Sequence, residues 1–329
     1  MGYRWRILCG TAAVVAALGS LPAAAQQKVR LVVGANVINI GYPMNTLPIT
    51  LGYWKQEGLD VEVIPAGASL QAVQQLVAGN AEAAQVNASV VIQSNVKNDL
   101  PVRFVMGNGV IDWSVSVDAD GPIKSFKDLK GKTIGVLSLA TGGIAYLNNA
   151  LRASGVDPKD INLVPLGFGA PVVDAFKNER VDALLYWAAG TATFQNAGLN
   201  LRQMTGDDWR SYPDYSLAMM QSVIEKNPNM AIGLVRGAAK ATVFALANPD
   251  CARKLHWEKY PATKPTGADE ATLIKWDLNN LQGQLDSLSD AFKLNGGKLW
   301  AISIRHRSTA WSSSWSMPSK STSPCRPNR

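Results

Sequence analysis

Residues 123–143 carry the sequence IKSFKDLKGKTIGVLSLATGG, the stretch that indicates the fold most directly. Its pattern predicts a short amphipathic helix over 125–129, a tight basic turn at 130–132 and a buried strand over 133–137. A loop of small residues follows, and a helix pattern starts near Gly143. Such a loop directs N–H groups and hydroxyls at one point, which suits a small anion or another acceptor-rich ligand. An ordinary turn of an α/β domain has the same pattern, so the segment alone leaves both interpretations open.

The same alternation of short apolar strands and helices continues along the chain, which predicts an α/β fold. The predicted strands lie at 29–33, 61–64, 83–85, 102–106, 133–137, 161–165 and 183–186. The predicted helices lie at 45–57, 69–78, 143–154, 171–178 and 230–247. The body of about 270 residues is large for one core and suits two domains.

Residues 1–25 have the pattern of a secretory signal peptide. Arg4 and Arg6 precede an apolar run at 7–18, and alanines at 23–25 supply the small residues of a cleavage site. The run is too short to span a bilayer, and Cys9 within it is not preceded by a lipidation motif. We therefore expect a periplasmic protein, cleaved after Ala25.

Charge and residue composition exclude several classes of function. The net charge of +7 arises in the signal peptide and after residue 299, so the body is balanced and predicts no binding to nucleic acid or membranes. The two histidines, His256 and His306, leave almost no material for histidine metal sites or Ser-His-Asp triads. His256 is expected to be a partly buried structural residue. Cys251 and Cys325 are too few for a disulfide framework, and the sequence leaves their pairing open.

Five phrases occur in an order and spacing that resemble one family. They are LGYWKQEGLDVEVIPAG at 51–67, SLQAVQQLVAGNAEAAQVNAS at 69–89, DLKGKTIGV at 128–136, ASGVDPKDINLVPLG at 153–167 and KNERVDALLYW at 177–187. Together they cover roughly residues 29–201. The chain resembles the substrate-binding proteins of bacterial ABC importers, in the nitrate/sulfonate/taurine-binding group that also contains binders of thiamine-pyrimidine precursors.

This resemblance implies a type II periplasmic-binding-protein fold, in which two α/β lobes hold the ligand in the cleft between them. We expect the chain to cross between the lobes at 113–117 and 211–216. Lobe 1 would then comprise residues 26–113 and 215–299, and lobe 2 residues 114–214.

Ligand recognition is expected in the loops at the carboxyl ends of strands, where α/β sheets place their sites. The candidate binding residues are Asn36, Asn39, Tyr42, Asn87, Ser89, Ser138, Thr141, Gly142, Tyr186 and Trp187. Each has a structural alternative: Asn36 and Asn39 could only shape a turn, and Tyr186 could complete a core strand. Trp54 is expected to be a core residue on a helix face.

The ligand that these residues suit is small and polar, with an apolar or aromatic portion. None of the loops contains Arg, Lys or His, so an anion would be held by N–H groups, hydroxyls and helix dipoles. A sulfonate, a neutral heterocycle and an aromatic acid all fit, and free nitrate is less favoured. The resemblance further implies a monomer that docks transiently on an ABC permease in the inner membrane, with no catalytic residue, metal or cofactor.

An enzyme on the same fold is the alternative. Yeast thiamine-pyrimidine synthases resemble this family but carry a cysteine-rich motif and an active-site histidine, and this chain lacks such a cysteine cluster. Desulfinase-like relatives need a nucleophilic cysteine, for which Cys251, after Asn248-Pro249-Asp250, is poorly placed. These departures favour a binding protein without turnover.

The segment after residue 299 departs from the rest of the chain. Residues 301–329 contain eleven Ser or Thr and no Asp or Glu, and no helix or strand period continues there. One interpretation is a disordered basic tail. A second hypothesis is a frameshift near Trp300, because a suitable back-translation in another frame encodes an acidic and apolar helix typical of this family's C-terminus. In that case lobe 1 would have lost its terminal helix.

Overall fold

In the part of the chain that the structure describes, two five-stranded sheets form the frame of the molecule. The computed structural model describes residues 25–206 and 208–297, together with Cys325. The first sheet contains β1 (Gln27–Val33), β2 (Leu59–Pro65), β3 (Ala83–Asn87), β4 (Val102–Gly107) and β10 (Tyr215–Met220). Its order is β2-β1-β3-β10-β4, with β1 parallel to β2 and β3 and with β10 antiparallel to both neighbours.

The second sheet repeats this plan. It contains β5 (Trp113–Asp118), β6 (Thr133–Val136), β7 (Asn162–Pro165), β8 (Ala183–Trp187) and β9 (Leu201–Met204) in the order β7-β6-β8-β5-β9. In this sheet β6 is parallel to β7 and β8, and β5, the first strand after the chain leaves the first sheet, is antiparallel to both of its neighbours. We call the first sheet with its helices lobe 1 and the second lobe 2. The predicted two-lobe α/β fold is confirmed.

Helices cover both faces of each sheet. Lobe 1 carries α1 (Pro43–Thr50), α2 (Tyr53–Gln56), α3 (Ser69–Val77) and α4 (Ala88–Asn98). Lobe 2 carries α5 (Gly143–Ala153), α6 (Ala170–Lys177) and α7 (Ala188–Asn196). The chain then continues through α8 (Gln221–Lys226), α9 (Pro228–Ala247), α10 (Pro249–Lys259) and α11 (Glu270–Leu294).

Each lobe buries apolar side chains on both faces of its sheet, which explains why the predicted strands are mostly apolar. Trp54 is 1% exposed, as expected of a core residue, and its indole donates a hydrogen bond to Leu234 O. The helix α9 is long and apolar enough to span a membrane, with a mean hydropathy of 1.5. Ten of its residues pack in the lobe 1 core, so its apolar character is explained by burial.

The segments that join the two sheets differ from the expected crossing points. Residues 113–117 lie in β5, because the alternating sequence WSVSVD pairs with β8 and β9. The second expected crossing, 211–216, overlaps the start of β10. The segments that join the lobes therefore lie at 108–112 and, within the described residues, at 205–206 and 208–214.

The helix predicted over 45–57 is divided into α1 and α2. Gly52 between them has a φ of 71°, a left-handed conformation that interrupts the helix and that glycine adopts without strain. The short helix predicted over 125–129 is a 3-10 turn over Phe126–Leu129, and Asp128 caps it by accepting the Ser125 N–H at 2.8 Å.

The helix α11 contacts both lobes, although the sequence predicts residues 215–299 as part of lobe 1 alone. It packs along α7 of lobe 2, where Asn196 Nδ2 donates to Trp276 O at 2.9 Å. Near its C-terminal end, Asp290 forms an ion pair with Arg210 of the second joining segment at 2.9 Å. The helix therefore covers the junction between the lobes.

The described residues include one disulfide, between Cys251 of α10 and Cys325, with the two Cα atoms 4.8 Å apart. Apart from Ala25 and Cys325, the predicted signal peptide and the C-terminal tail lie outside the described residues, and so does the frameshift hypothesis for that tail.

Candidate functional site

A small cavity lies between the lobes at the carboxyl ends of β1, β3, β6 and β8, the edge where α/β sheets place ligands. We call it the cleft cavity. It has a volume of about 20 Å³, which is room for about one water molecule, so the lobes are closed in this structure. The residues that line it are Gly34, Tyr42, Asn87, Asp112, Trp113, Leu137, Thr141, Trp187, Tyr215 and Gln284.

Four of the ten predicted site residues line the cleft cavity: Tyr42, Asn87, Thr141 and Trp187. They come from both lobes: Asn87 and Trp187 are the last residues of β3 and β8, and Tyr42 and Thr141 lie in the loops after β1 and β6. Whether they contact ligand stays a prediction.

Two further predicted residues, Ser89 and Gly142, join the lobes beside the cavity. Ser89 Oγ donates a hydrogen bond to Gly142 O at 3.2 Å. Because Ser89 belongs to lobe 1 and Gly142 to lobe 2, this bond forms only when the lobes are closed. Their position supports a role in closure.

The other predicted residues lie outside the cavity lining. Asn36 is exposed, and Asn39 Oδ1 accepts the Gly41 N–H at 2.9 Å, which shapes the loop after β1. Ser138 Oγ accepts the Ala140 N–H at 3.2 Å and shapes the loop after β6.

Tyr186 lies outside the cavity lining because of its position in β8, where the alternative of a core-strand residue fits its surroundings. Successive side chains of a strand point to opposite faces, so Trp187 reaches the cavity while Tyr186 packs in the lobe 2 core. Tyr186 is 0% exposed, its ring lies 4.8 Å from that of Phe194, and its hydroxyl donates to Gly167 O at 2.7 Å. Tyr186 therefore packs beneath the site, with its ring centroid 5.9 Å from that of Trp187.

The small residues at the start of α5 are explained by close packing across the cleft. A Cβ on Gly142 would lie 2.5 Å from the Cβ of Asn87, and a Cβ on Gly143 would overlap the ring of Trp113. Only glycine lets this loop approach both side chains. The segment predicted as an anion cradle therefore also serves as a contact surface between the lobes.

Asp214, in the second joining segment, connects the two lobes through its buried carboxylate. Oδ2 accepts from Asn87 Nδ2 at 2.8 Å and from Trp113 Nε1 at 3.1 Å. Oδ1 accepts from Ala88 N at 3.1 Å and from the Tyr146 hydroxyl. Asn87 and Ala88 belong to lobe 1, and Trp113 and Tyr146 belong to lobe 2. A single carboxylate thus joins four donors across the cleft.

The pKa of Asp214 is raised to about 6, because burial disfavours its charged form more than the hydrogen bonds from Tyr146, Asn87, Ala88 and Trp113 favour it. Burial, followed by the negative charge of Asp214, raises the pKa of Tyr146 far above its usual range. At neutral pH the pair is therefore a carboxylate with a neutral phenol donor.

A second acid, Asp112, lines the cleft cavity itself. Its pKa is raised to about 7, mainly by burial and then by the negative charge of Asp214. Arg210 and the backbone N–H groups of Asp112 and Ala188 oppose this shift. Since Ala188 begins α7, the Asp112 carboxylate lies at the positive end of a helix dipole.

Four of the ten residues that line the cavity are aromatic. Trp187 stacks on Phe168 with 5.4 Å between ring centroids and meets Trp113 edge-on at 5.9 Å. Tyr42 and Tyr215 lie 6.0 Å apart, and burial raises the pKa of both phenols above the usual range. The wall therefore offers flat apolar surfaces with neutral hydroxyl groups.

Gln284 of α11 completes the lining. It is 3% exposed, and its Nε2 has no hydrogen-bond partner among the described residues. A buried amide without a partner is costly, so an acceptor from a bound molecule or water would stabilise it.

Five residues in or beside the cavity were not predicted from the sequence as site residues: Asp112, Trp113, Asp214, Tyr215 and Gln284. The signal that could have found four of them is that each joining segment ends in an acid followed by an aromatic residue that begins a strand: Asp112-Trp113 and Asp214-Tyr215. Gln284 gives no such signal, because only the packing of α11 over the junction brings it to the cavity.

A larger groove, of about 560 Å³, lies on the outer side of the joining segments. Its wall is mostly apolar and includes Ile92, Phe104, Trp209 and Tyr212. Of the predicted binding residues it contains only Ser89, so the strand-end loops converge on the cleft cavity instead.

Known proteins resemble this chain in both sequence and fold. A protein of Brucella abortus named as a binding protein is 28% identical over 205 residues, 60% of this chain and 61% of the relative. The riboflavin-binding protein RibY of Chloroflexus aurantiacus is 25% identical over 141 residues, 43% of this chain and 40% of the relative. This chain therefore spans about three fifths or less of the length of these relatives.

The alkanesulfonate-binding protein SsuA of Xanthomonas axonopodis pv. citri, solved with MOPS bound, has the same fold. It superposes with a TM-score of 0.62 at 13% identity, covering 85% of this chain and 98% of SsuA. At that identity the likeness concerns the fold, which is the periplasmic-binding-protein fold expected from the sequence.

A family model described as NMT1/THI5 like matches residues 47–252, which is more than half of the chain. The match includes both joining segments and the strand-end loops on β3, β6 and β8. The resemblance inferred from the five sequence phrases is thereby confirmed. The chain belongs to the NMT1/THI5-like family.

Proposed function

We propose that this protein is the extracytoplasmic solute-binding component of an ABC importer. It captures a small organic ligand between its lobes and delivers it to a permease in the inner membrane. The observation that supports this most is the cleft cavity, which is lined from both lobes and held closed by the hydrogen bonds of Asp214. Solute-binding relatives and a sulfonate-binding neighbour in fold support the same role.

The ligand is a small molecule with a polar group and an apolar or aromatic part. Trp187, Trp113 and Tyr42 suit a flat apolar group, and Thr141 and Asn87 suit a polar one. A sulfonate or taurine-like compound and a heterocyclic or aromatic acid are the two ligand types to compare. SsuA was solved with a sulfonate buffer and RibY is named for riboflavin, so neighbours of both types exist.

We propose binding without turnover. Cys251 is held in a disulfide and therefore offers no thiolate. His256 is 0% exposed in α10, where Nε2 lies 2.8 Å from Thr263 Oγ1, and burial lowers its pKa to about 4. Neither residue lines the cleft cavity. The buried structural role expected of His256 agrees with this position.

Export, oligomeric state and lobe boundaries form part of the same proposal. The signal peptide at 1–25 would deliver a periplasmic monomer with lobe 1 at 26–113 and 215–299 and lobe 2 at 114–214, except that the pairing of Trp113 with Trp187 assigns Trp113 to lobe 2. Residues 300–329 would then be the basic tail or the product of a frameshift, and the gene's nucleotide sequence separates these two cases. A second frame without helix-coding potential would contradict the frameshift.

A thermal-shift screen of the mature protein tests the proposed function. Sulfonates, nitrate, pyrimidines and aromatic acids are added singly, and a ligand that binds only the folded state raises Tm with its concentration. We expect at least one stabilising solute that is recovered unchanged after incubation. Stabilisation should be lost in Trp187→Ala and kept in Trp257→Ala, which removes a tryptophan of α10 outside the cavity lining. Formation of product, or equal stabilisation of both variants, would contradict the proposal.

A further inference from the structure

The charges at the cleft cavity are all of one sign. Asp112 lines it, and Asp214 lies close enough to raise the pKa of Asp112. No Arg, Lys or His is among the lining residues that the structure describes. Arg210, whose positive charge acts on Asp112, forms an ion pair with Asp290 of α11 at 2.9 Å and does not line the cavity.

Resting on the function proposed above, we propose that the cleft selects solutes with a protonated or amino nitrogen, which the Asp112 carboxylate binds, and rejects sulfonates. An ionised Asp112 attracts a cation that binds in the cavity and repels an anion that binds there, and both effects are stronger in a closed cleft than in bulk water. The specificity-determining residue is therefore Asp112, supplied by the first joining segment rather than by a strand-end loop.

The remaining lining residues fit such a ligand. Trp187, Trp113, Tyr42 and Tyr215 line the cavity, and the face of an aromatic ring attracts a cation through its quadrupole. The unpaired Nε2 of Gln284 suits one acceptor atom elsewhere on the ligand. A ring or short chain with one nitrogen donor and one acceptor satisfies both groups, whereas a sulfonate supplies acceptors only.

The protonation state of Asp112 determines how the affinity for a cation changes with pH. Its surroundings are Asp214, the phenols of Tyr42 and Tyr215, Arg210 and the N–H of Ala188. Because its pKa is about 7, the ionised fraction grows from pH 6 to pH 8. Binding of a cation should strengthen over that interval. An anion held by protonated Asp112 would show the opposite trend.

The test compares two probes of the same ring, benzylamine and benzenesulfonate, by calorimetric titration of the mature protein at pH 6 and pH 8. We expect benzylamine to bind in preference to benzenesulfonate by roughly a thousandfold at pH 8, the ratio that a single charge contact of about 4 Å supplies at an effective dielectric of about 20. Its affinity should fall about tenfold or more in Asp112→Asn and at pH 6. Asp60→Asn, on the exposed edge of β2, is the matched control and should bind as the wild type does.

Each outcome decides the proposal. Tighter binding of benzenesulfonate, or unchanged benzylamine affinity in a folded Asp112→Asn, overturns the cation preference while the solute-binding function stands. Absence of benzylamine binding at about 10 mM also overturns it, since a cavity that selects amines should be partly occupied at that concentration. If no solute of the thermal-shift panel binds either, the proposed function fails as well.

Discussion

Replacing Asp214 with Asn tests whether one carboxylate holds the two lobes together. The substitution keeps the size of the side chain but turns one of its two oxygens into an NH2 group. Each oxygen now accepts two hydrogen bonds, one from each lobe: Asn87 and Trp113 on Oδ2, Ala88 and Tyr146 on Oδ1. If the amide nitrogen replaces Oδ2, Asn87 Nδ2 and Trp113 Nε1 lose their acceptor. If it replaces Oδ1, the Ala88 N–H keeps the backbone oxygen of residue 214 at 2.8 Å, and the Tyr146 hydroxyl can turn to accept from the amide.

The size of the effect follows from the orientation that costs less. Asn87 cannot rotate to compensate, because its Oδ1 already accepts from Ser69 Oγ at 2.9 Å, so the new amide should turn its nitrogen toward Ala88 and Tyr146. The bonds from Asn87 and Trp113 then lose the charge of their acceptor, and the free energy of unfolding should fall by about 1–3 kcal/mol. For a body of this size that corresponds to a decrease in Tm of about 2–10 °C.

Thermal unfolding at pH 8, well above the Asp214 pKa of about 6, measures this effect with the carboxylate ionised. Asp60→Asn, in which an exposed acid loses its charge, should change the stability by less than about 0.5 kcal/mol. Closure should weaken too, so solute affinity falls together with Tm. An Asp214→Asn protein as stable as the Asp60→Asn control would refute the account of the carboxylate as the link between the lobes.

Three further predictions concern packing, titration and the disulfide. Gly143→Ala should lower the free energy of unfolding by about 1–3 kcal/mol in urea titrations, because its Cβ would overlap the Trp113 ring. The control is Ala145→Gly, also in the first turn of α5, which should cost about 1 kcal/mol; Gly155→Ala is less suitable, because a φ of 77° at Gly155 would strain alanine. His256 is buried in its neutral form, and its pKa of about 4 lies below the ordinary 6.5, so the free energy of unfolding of the wild type should fall by up to about 3 kcal/mol as pH drops from 6.5 to 4. His256→Gln should remove that part of the pH dependence, and an unchanged pH profile in the variant would contradict this assignment. The mature protein should show no free thiol before reduction, because Cys251 and Cys325 are paired, and a titratable thiol in the unfolded, unreduced protein would argue against the bond.

The strands predicted from sequence are short runs of mostly apolar residues. Runs such as 29–33 and 183–186 lie in sheets that helices cover on both faces, and Arg30 is the one charged residue in these two runs. The strand β5 was not predicted, because residues 113–117 were interpreted as a crossing between the lobes. Ser114 and Ser116 of β5 are both buried, with their hydroxyls 3.4 Å apart. Polar residues that pair with each other inside a core cannot be distinguished from surface positions by pattern alone.

The candidate site was predicted only where a loop directly follows a parallel strand. Asn87 and Trp187 are the last residues of such strands, Thr141 lies in the loop after one, and all three line the cavity. Asp112 and Gln284 are brought there by the crossing between lobes and by the packing of α11, which depend on the assembled tertiary structure. The sequence therefore predicts the aromatic and hydroxyl character of the site but not its charge.

The central claim is that the cleft between the lobes binds one small solute per chain. Calorimetric titration of the tightest solute from the thermal-shift panel tests it directly in the wild type and in Trp187→Ala. The account predicts saturation at one solute per chain and a loss of affinity of about tenfold or more in Trp187→Ala, since a ring that covers the ligand is removed. Equal affinity in a folded Trp187→Ala protein would contradict the claim that the cleft is the binding site.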